Sequence, residues 1–206
     1  MLVLGITGGS GAGKSAACKY LLSRGGSLVD CDKVYASLVD KPSECTVQLA
    51  NEFGSSVLNA DGSLNRRALS DIVFKSGNGD RLTRLNEIAH PFVIAEVKRI
   101  LGDNDGNGIP YTIIDAPQLF EAGADKLCDR TLFVTANRAM RIERIVTRDG
   151  ITAQAATRRI DSQLSDEYFE SRCDYAIYNN GSEDELKREC YSLLDRLGIK
   201  ENGTTI

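Results

Sequence analysis

The run Gly8-Gly-Ser-Gly-Ala-Gly-Lys-Ser15 has the spacing GxxxxGK(S/T). In such a loop consecutive backbone N–H groups converge on one anion, and glycine is needed where a side chain would clash or where φ is positive. Gly8, Gly11 and Gly13 supply those positions. Lys14 then reaches the β- and γ-phosphates as a point charge, Ser15 offers a hydroxyl to Mg2+, and the helix that follows adds its positive end. A second pattern overlaps the first. Gly11 to Ala16 fits the dinucleotide fingerprint GxGxx(G/A), with Asp30 at the end of the next strand, where a ribose-reading acid belongs. The first glycine of that fingerprint follows its strand almost directly, whereas Thr7-Gly-Gly-Ser10 intervenes here and Lys14 and Ser15 would have no role. A guanine-nucleotide switch is weaker still: there is no NKxD run, and Asp103-Asn-Asp-Gly106 precedes the strand that a DxxG segment should follow.

Carboxylates and arginines stand where a transferred phosphoryl group would need them. Asp30 and Asp32, in "LVDCDKVYA", fall at the carboxyl end of a strand, and Asp32 is placed to take a proton from an attacking hydroxyl. Helix capping is the ordinary alternative for both. Asp115 ends the apolar run Tyr111-Thr-Ile-Ile-Asp115, as an acid that polarises the Mg2+ shell would. Strand-end turn chemistry is the competing explanation there. Arg138, Arg141, Arg144 and Arg148 recur at helical spacing, followed by Arg158, Arg159 and Arg172. Planar guanidinium forks suit phosphate, although Glu143, Asp149, Asp161 and Asp166 make a salt-bridged surface an alternative for several of them. Arg66-Arg67 lies near a helix start, where positive charge gains nothing from the dipole; an anionic ligand, or an ion pair with Asp71 or Glu52, would explain it. His90 is the lone histidine and more often such a residue is structural; Pro91 after it breaks a helical pattern.

The elements that must hold these residues can be read from the same chain. Short apolar runs at Leu2–Ile6, Ser27–Asp30, Tyr111–Asp115, Thr131–Thr135 and Tyr175–Asn179 read as strands with helical patterns between most of them. Lys14 to Ser23 is the first helix. The expected fold class is α/β: a mainly parallel five-stranded sheet covered by helices on both faces. A nucleotide-binding core comprises residues 1–32, 109–136 and 174–206. Residues 33–108 form a helical insertion, with Leu82, Leu85, Ile88, Phe92 and Val97 at helical spacing, closed by a mobile turn at Gly102–Gly108. Residues 137–173 form an arginine-rich helical lid.

Composition sets bounds on function. The 206 residues are 42% hydrophobic and 26% charged, ordinary for a globular protein, and the net charge of −4 argues against a nucleic-acid protein that works by general basicity. No apolar run is long enough to span a bilayer and the amino terminus does not read as a signal peptide, so no membrane partner and a cytoplasmic location are expected. Six scattered cysteines without a CxxC pair are expected to be reduced and mostly buried.

The segments "GITGGSGAGKS", "VDCDKVYA", "DGSLNRRALSDIVF", "LNEIAHPFV", "PQLFEAG", "RDGIT" and "RCDYAIYNNG" occur in the order and approximate spacing of one family, and over nearly its whole length the chain resembles the dephospho-coenzyme A kinases. The resemblance implies a P-loop kinase fold like that of nucleoside monophosphate kinases. It implies transfer of the γ-phosphoryl group of MgATP to the 3′-hydroxyl of the dephospho-CoA ribose, with ATP and Mg2+ as cofactors. On it, Asp32 matches the candidate base, with Lys14, Arg144 and Arg148 as further catalytic groups. Gly8, Gly11, Ala12, Gly13, Lys14, Ser15, Ala16, Arg144 and Asn179 hold ATP. Asp32, Arg66, Arg67, His90 and Glu121 hold the acceptor, Ser15 binds Mg2+, and Asp115 belongs to its outer shell. The chain departs from the family's usual pattern at Ala16, often threonine, at Gln118, often leucine, and at Arg141, often glutamine.

Overall fold

A computed structural model describes residues 1–74 and 79–200. Residues 75–78 of the expected helical insertion and 201–206 of the expected core lie outside the described residues. In chain order the elements are β1 (Leu2–Thr7), α1 (Lys14–Leu21), β2 (Ser27–Asp30), α2 (Cys31–Val39), α3 (Glu44–Phe53), α4 (Arg66–Phe74), α5 (Gly79–Gly106) and β3 (Tyr111–Asp115). Then come β4 (Arg130–Thr135), α6 (Arg138–Asp149), α7 (Ala153–Asp161), α8 (Asp166–Glu170), β5 (Tyr175–Tyr178) and α9 (Glu183–Arg196), with single 3-10 turns at Ser55–Val57 and Ala124–Leu127.

The five strands pair in the order β2-β3-β1-β4-β5, every pair parallel. Parallel pairing requires crossovers, and these cover both faces, which is why β1, β3 and β4 read as apolar runs instead of alternating. On one face Leu4, Ile6, Ile113, Leu132 and Val134 pack with Ala17 and Leu21 of α1 and with Leu186, Leu193 and Leu194 of α9. On the other, Val3, Val29 and Ile114 meet Val34 of α2, Val93 and Val97 of α5, and Leu119. Helices α2 to α5 enclose a satellite core of Val39, Leu49, Val57, Leu69, Val73 and Ile88. A small fourth cluster, Ile145, Ala156 and Ile160, joins α6 to α7.

The five strands lie where the sequence put them, give or take a residue or two at the ends, and α1 stops at Leu21 instead of Ser23. Two expectations are corrected. Pro91 does not break α5, which continues through it. A proline inside a helix costs about 3 kcal/mol, while burying one aliphatic side chain returns about 1.5–3 kcal/mol, and Ile88 before it with Val93 and Val97 after it are all buried. The segment Gly102–Gly108 is not a free turn either: α5 extends to Gly106. Its polar residues are tied to the amino end of the sheet's central strands, Asn104 Nδ2 donating to Thr112 Oγ1 at 3.1 Å and Asp105 pairing with the N-terminal ammonium at 3.0 Å. The turn is confined to Asn107-Gly108, where Gly108 has φ +71°.

All six cysteines are free; Cys18, Cys45 and Cys190 are buried and the other three half-buried.

Candidate active site

The carboxyl end of β1 lies between those of β3 and β4, and the loop from Gly8 to Gly13 leaves it there before α1 begins. Gly13 is the N-cap of α1 at φ +94°, a left-handed conformation that disfavours side chains, and a Cβ there would strike Asn179 Nδ2. Gly11, at φ +77°, is pressed against the backbone of Arg141, whose Cα would lie 2.9 Å from an added Cβ.

Around this loop opens a cavity of about 860 Å3, walled by Gly8 to Gly11, Gly13, Lys14 and Ser15, by Asp32 and Pro117, and by Arg144 and Arg148 of α6. Lys14 Nζ is ion-paired with Asp115 Oδ1 beneath it. Ser15 faces the cavity and is exposed. Ala12 is buried, and neither it nor Ala16 belongs to the wall. Asn179, just past β5, is 8% exposed and donates to Ala12 O at 2.9 Å. Arg144 donates to Gly11 O at 3.3 Å and to Asn179 O at 3.1 Å, and has no ion pair among the described residues. Arg148 pairs with Asp149 at 2.7 Å, and Arg138 with Asp161 at 2.6 Å. The salt-bridged alternative thus describes those two arginines and Arg159, which shares Asp149, but not Arg144; Arg141, paired with Asp166, is buried.

A smaller cavity of about 180 Å3 lies between α2, α5 and the loop after β3, lined by Cys31, Tyr35, Ala89, His90, Val93 and Gln118 among others. Asp32 and Pro117 belong to the walls of both cavities. Local structure explains this position. Asp30 caps α2 by accepting from Lys33 N at 3.1 Å, so the helix starts directly at the end of β2 and carries Asp32 in its first turn. The capping alternative therefore applies to Asp30 and not to Asp32. Pro117 is fixed from the opposite side, its carbonyl accepting from Thr7 Oγ1 at 3.2 Å. Loss of hydration against the surrounding walls, and then the charge of Asp30, raise the Asp32 carboxyl above its ordinary value, with Lys14 opposing.

His90 is half-buried, and burial lowers its pKa although Gln118 and Glu121 oppose this, so the ring is neutral at pH 7. Its Nε2 lies 3.1 Å from Gln118 Oε1. Glu121 and His90 share a shallow groove continuing from the smaller cavity. Arg66 and Arg67 are exposed and belong to neither cavity wall; Arg66 pairs with Asp40 at 2.7 Å, and Glu52 is engaged by Arg84. Pro117 and Gln163, at the first cavity, have no chemical signature in the sequence that would single them out. No cluster of His, Cys, Asp or Glu among the described residues could by itself hold a metal, and no described helix is long and apolar enough to cross a membrane.

A parallel sheet with a glycine loop, lysine and serine at its carboxyl edge, facing an arginine helix, defines a P-loop nucleotide phosphotransferase. Comparison with known proteins narrows the class. The sequence profile of the dephospho-CoA kinase family matches residues 2–185. A dephospho-CoA kinase of Fusobacterium nucleatum is 36% identical over 186 residues, 90% of this chain and 93% of that protein. The chain belongs to the dephospho-CoA kinase family. Among solved structures, TT1252 from Thermus thermophilus is 29% identical with a TM-score of 0.75, covering 95% of this chain and 97% of its own. The dephospho-CoA kinase from Campylobacter jejuni, at 22% identity and a TM-score of 0.61 over 95% of this chain and 96% of its own, shares the fold.

Proposed function

We propose that the protein transfers the γ-phosphoryl group of MgATP to the 3′-hydroxyl of the ribose of dephospho-CoA, forming CoA and ADP in the cytoplasm. The observation that carries this reading is the position of Asp32 in the wall shared by the phosphate-loop cavity and the smaller cavity beside α5. A hydroxyl presented from the smaller cavity meets the triphosphate beside that carboxylate. As the bond from the acceptor oxygen to the γ-phosphorus forms and the bond to the bridging oxygen of ADP breaks, Asp32 receives the hydroxyl proton.

Lys14 leaves Asp115 to reach the β- and γ-phosphates. Arg144, whose donors meet only neutral carbonyls, keeps an uncompensated charge for the phosphates. Arg148 contributes on exchanging Asp149 for phosphate. Ser15, exposed at the start of α1, and Asp115, once freed by Lys14, fit Mg2+ as hydroxyl ligand and outer-shell acid. The ion supplies charge neutralisation of the phosphate oxygens. Residues 33–108 are the acceptor-binding insertion, with His90 and Glu121 along the path of dephospho-CoA, and 137–173 the lid over ATP. Arg66 and Arg67, outside both cavity walls, would serve the acceptor where it extends beyond them.

The test is incubation with MgATP and dephospho-CoA, with the product identified by mass and by the position of the new phosphate. CoA phosphorylated at the 3′ position is expected. Rapid phosphorylation of nucleoside monophosphates with none of dephospho-CoA would overturn the assignment.

A further inference from the structure

Three successive carbonyls of the phosphate loop are held from outside it. Arg141 Nε donates to Ser10 O at 3.0 Å, Arg144 Nη1 to Gly11 O at 3.3 Å and Asn179 Nδ2 to Ala12 O at 2.9 Å. In a trans peptide the N–H points opposite to the C=O. Tying the Ser10 and Ala12 carbonyls outward therefore turns the N–H groups of Gly11 and Gly13 toward the cavity that both residues wall. The N–H of Ala12 closes the turn instead, on Gly9 O at 3.2 Å.

Arg141 is the most deeply set of these donors, 5% exposed and absent from the cavity wall. Its Nη1 meets Asp166 Oδ1 and its Nη2 meets Gln163 Oε1, each at 3.1 Å. The same Gln163 oxygen accepts from Ser10 N at 3.0 Å, and Asp166 Oδ2 accepts from Thr135 Oγ1 at 2.6 Å at the end of β4. Both the N–H and the C=O of Ser10 are thus fixed by one partly buried network that also joins α6 and α8 to the sheet. A guanidinium arranged this way cannot swing onto a phosphate without breaking the loop's own supports.

We infer that Arg141 is a positioning residue, supported by Gln163 at the cavity wall: Arg141 sets the Ser10 peptide so that the loop is shaped for a triphosphate before one binds, and never touches the nucleotide. This rests on the loop being the ATP site but not on the identity of the acceptor. Preorganised donors avoid the cost of ordering on binding, so the effect falls on nucleotide affinity.

The test compares Arg141→Met, which keeps an apolar stem in the buried site, and Gln163→Met with the parent protein. Calorimetry with MgATP and with Mg-tripolyphosphate is paired with amide hydrogen exchange over residues 8–15, calorimetry with dephospho-CoA, and thermal unfolding. Both variants are expected to bind both polyphosphates roughly tenfold to hundredfold more weakly, as loss of hydrogen bonds to a charged group implies. Faster exchange at the loop amides and dephospho-CoA affinity within about twofold of the parent complete the expectation. Folded Arg141→Met protein with unchanged polyphosphate affinity overturns the inference. So do equal losses for polyphosphate and dephospho-CoA, which would mark a merely structural residue. If Arg141→Met does not fold, Gln163→Met, at a half-buried position in the cavity wall, decides through hydrogen exchange without ligand: faster exchange at the loop amides together with weaker polyphosphate binding supports the positioning network, and unchanged exchange overturns it. Should the parent fail to phosphorylate dephospho-CoA, the acceptor assignment falls while the polyphosphate comparison still decides the role of Arg141.

Discussion

A carboxylate that takes a proton during phosphoryl transfer has to be ionised and beside the acceptor oxygen, and for Asp32 as the proposed base these two demands conflict. The walls that place it between the cavities also strip water from it and raise its pKa, with the Asp30 charge adding to the effect. A raised pKa means that the ionised base is lost as pH falls, and lost earlier than an unperturbed carboxylate would be. The acidic limb of kcat is therefore expected above the ordinary carboxylate range of about 4. Asp30→Asn, which keeps the helix cap but removes the charge, moves that limb to lower pH; a limb that stays put argues that Asp32 is not the titrating group. Asp32→Asn lowers kcat by roughly 10²- to 10⁴-fold, with MgATP affinity nearly unchanged in equilibrium titration. Near-normal turnover would remove Asp32 as base. That Lys14, Ser15 and Asp32 share one cavity wall was legible in the sequence because each follows shortly after a strand. Arg141 and Gln163 were not, because contacts across more than a hundred residues join them to Ser10, and residue type does not distinguish a buried guanidinium from a phosphate ligand.

At the scale of elements, the phosphate cradle is only as firm as α1, and α1 is backed by α9. Leu186, Cys190, Leu193 and Leu194 of α9 belong to the same core as Ala17, Cys18 and Leu21 of α1. Helix α9 begins with a capping box in which Ser182 Oγ accepts from Glu185 N while Glu185 Oε2 accepts from Ser182 N at 2.6 Å. Ser182→Ala is expected to cost about 1 kcal/mol of stability, read from urea midpoints, with MgATP affinity unaltered because the cap lies outside the cavity wall. Gly13→Ala should behave differently. Forcing a side chain into a left-handed conformation costs about 1–2 kcal/mol, and its Cβ would displace Asn179 from Ala12 O, so the same urea series should show a stability loss together with failure to bind MgATP. Retained nucleotide binding in Gly13→Ala would mean that the Asn179 contact does not shape the loop. Periodicity found α5, yet its reach through Pro91 and on to Gly106 was hidden, since that extension is fixed by packing against the sheet and by Asn104 and Asp105 bonding at the amino end of its central strands.

Taken whole, the chain joins a central sheet to two helical regions, one between β2 and β3 and one between β4 and β5. A parallel sheet covered by helices could be anticipated because apolar strands separated by helices allow few arrangements; its strand order, and which residues would wall the cavities, could not, because these depend on how the helices pack at the carboxyl end of the sheet. The loop, Arg144 and Asn179 connect β1, α6 and the segment after β5, so a nucleotide seated in the cavity would meet the loop and α6 directly and the segment after β5 through Asn179, stabilising all of them at once. A ligand that binds only the native state adds about 2.7 kcal/mol at a concentration 100 times its Kd. For a chain of this length each kcal/mol shifts Tm by about 2–4 °C, which gives an expected rise of roughly 5–10 °C with saturating MgATP. The shift should appear in one transition when unfolding is followed by tyrosine absorbance and by far-ultraviolet circular dichroism, because the core clusters share β1 and its neighbours. Two separate transitions, only one of them moved by MgATP, would show instead that the helical regions unfold independently of the nucleotide site. In that case α6 would not be held to the phosphate loop by the contacts described for Arg141 and Arg144.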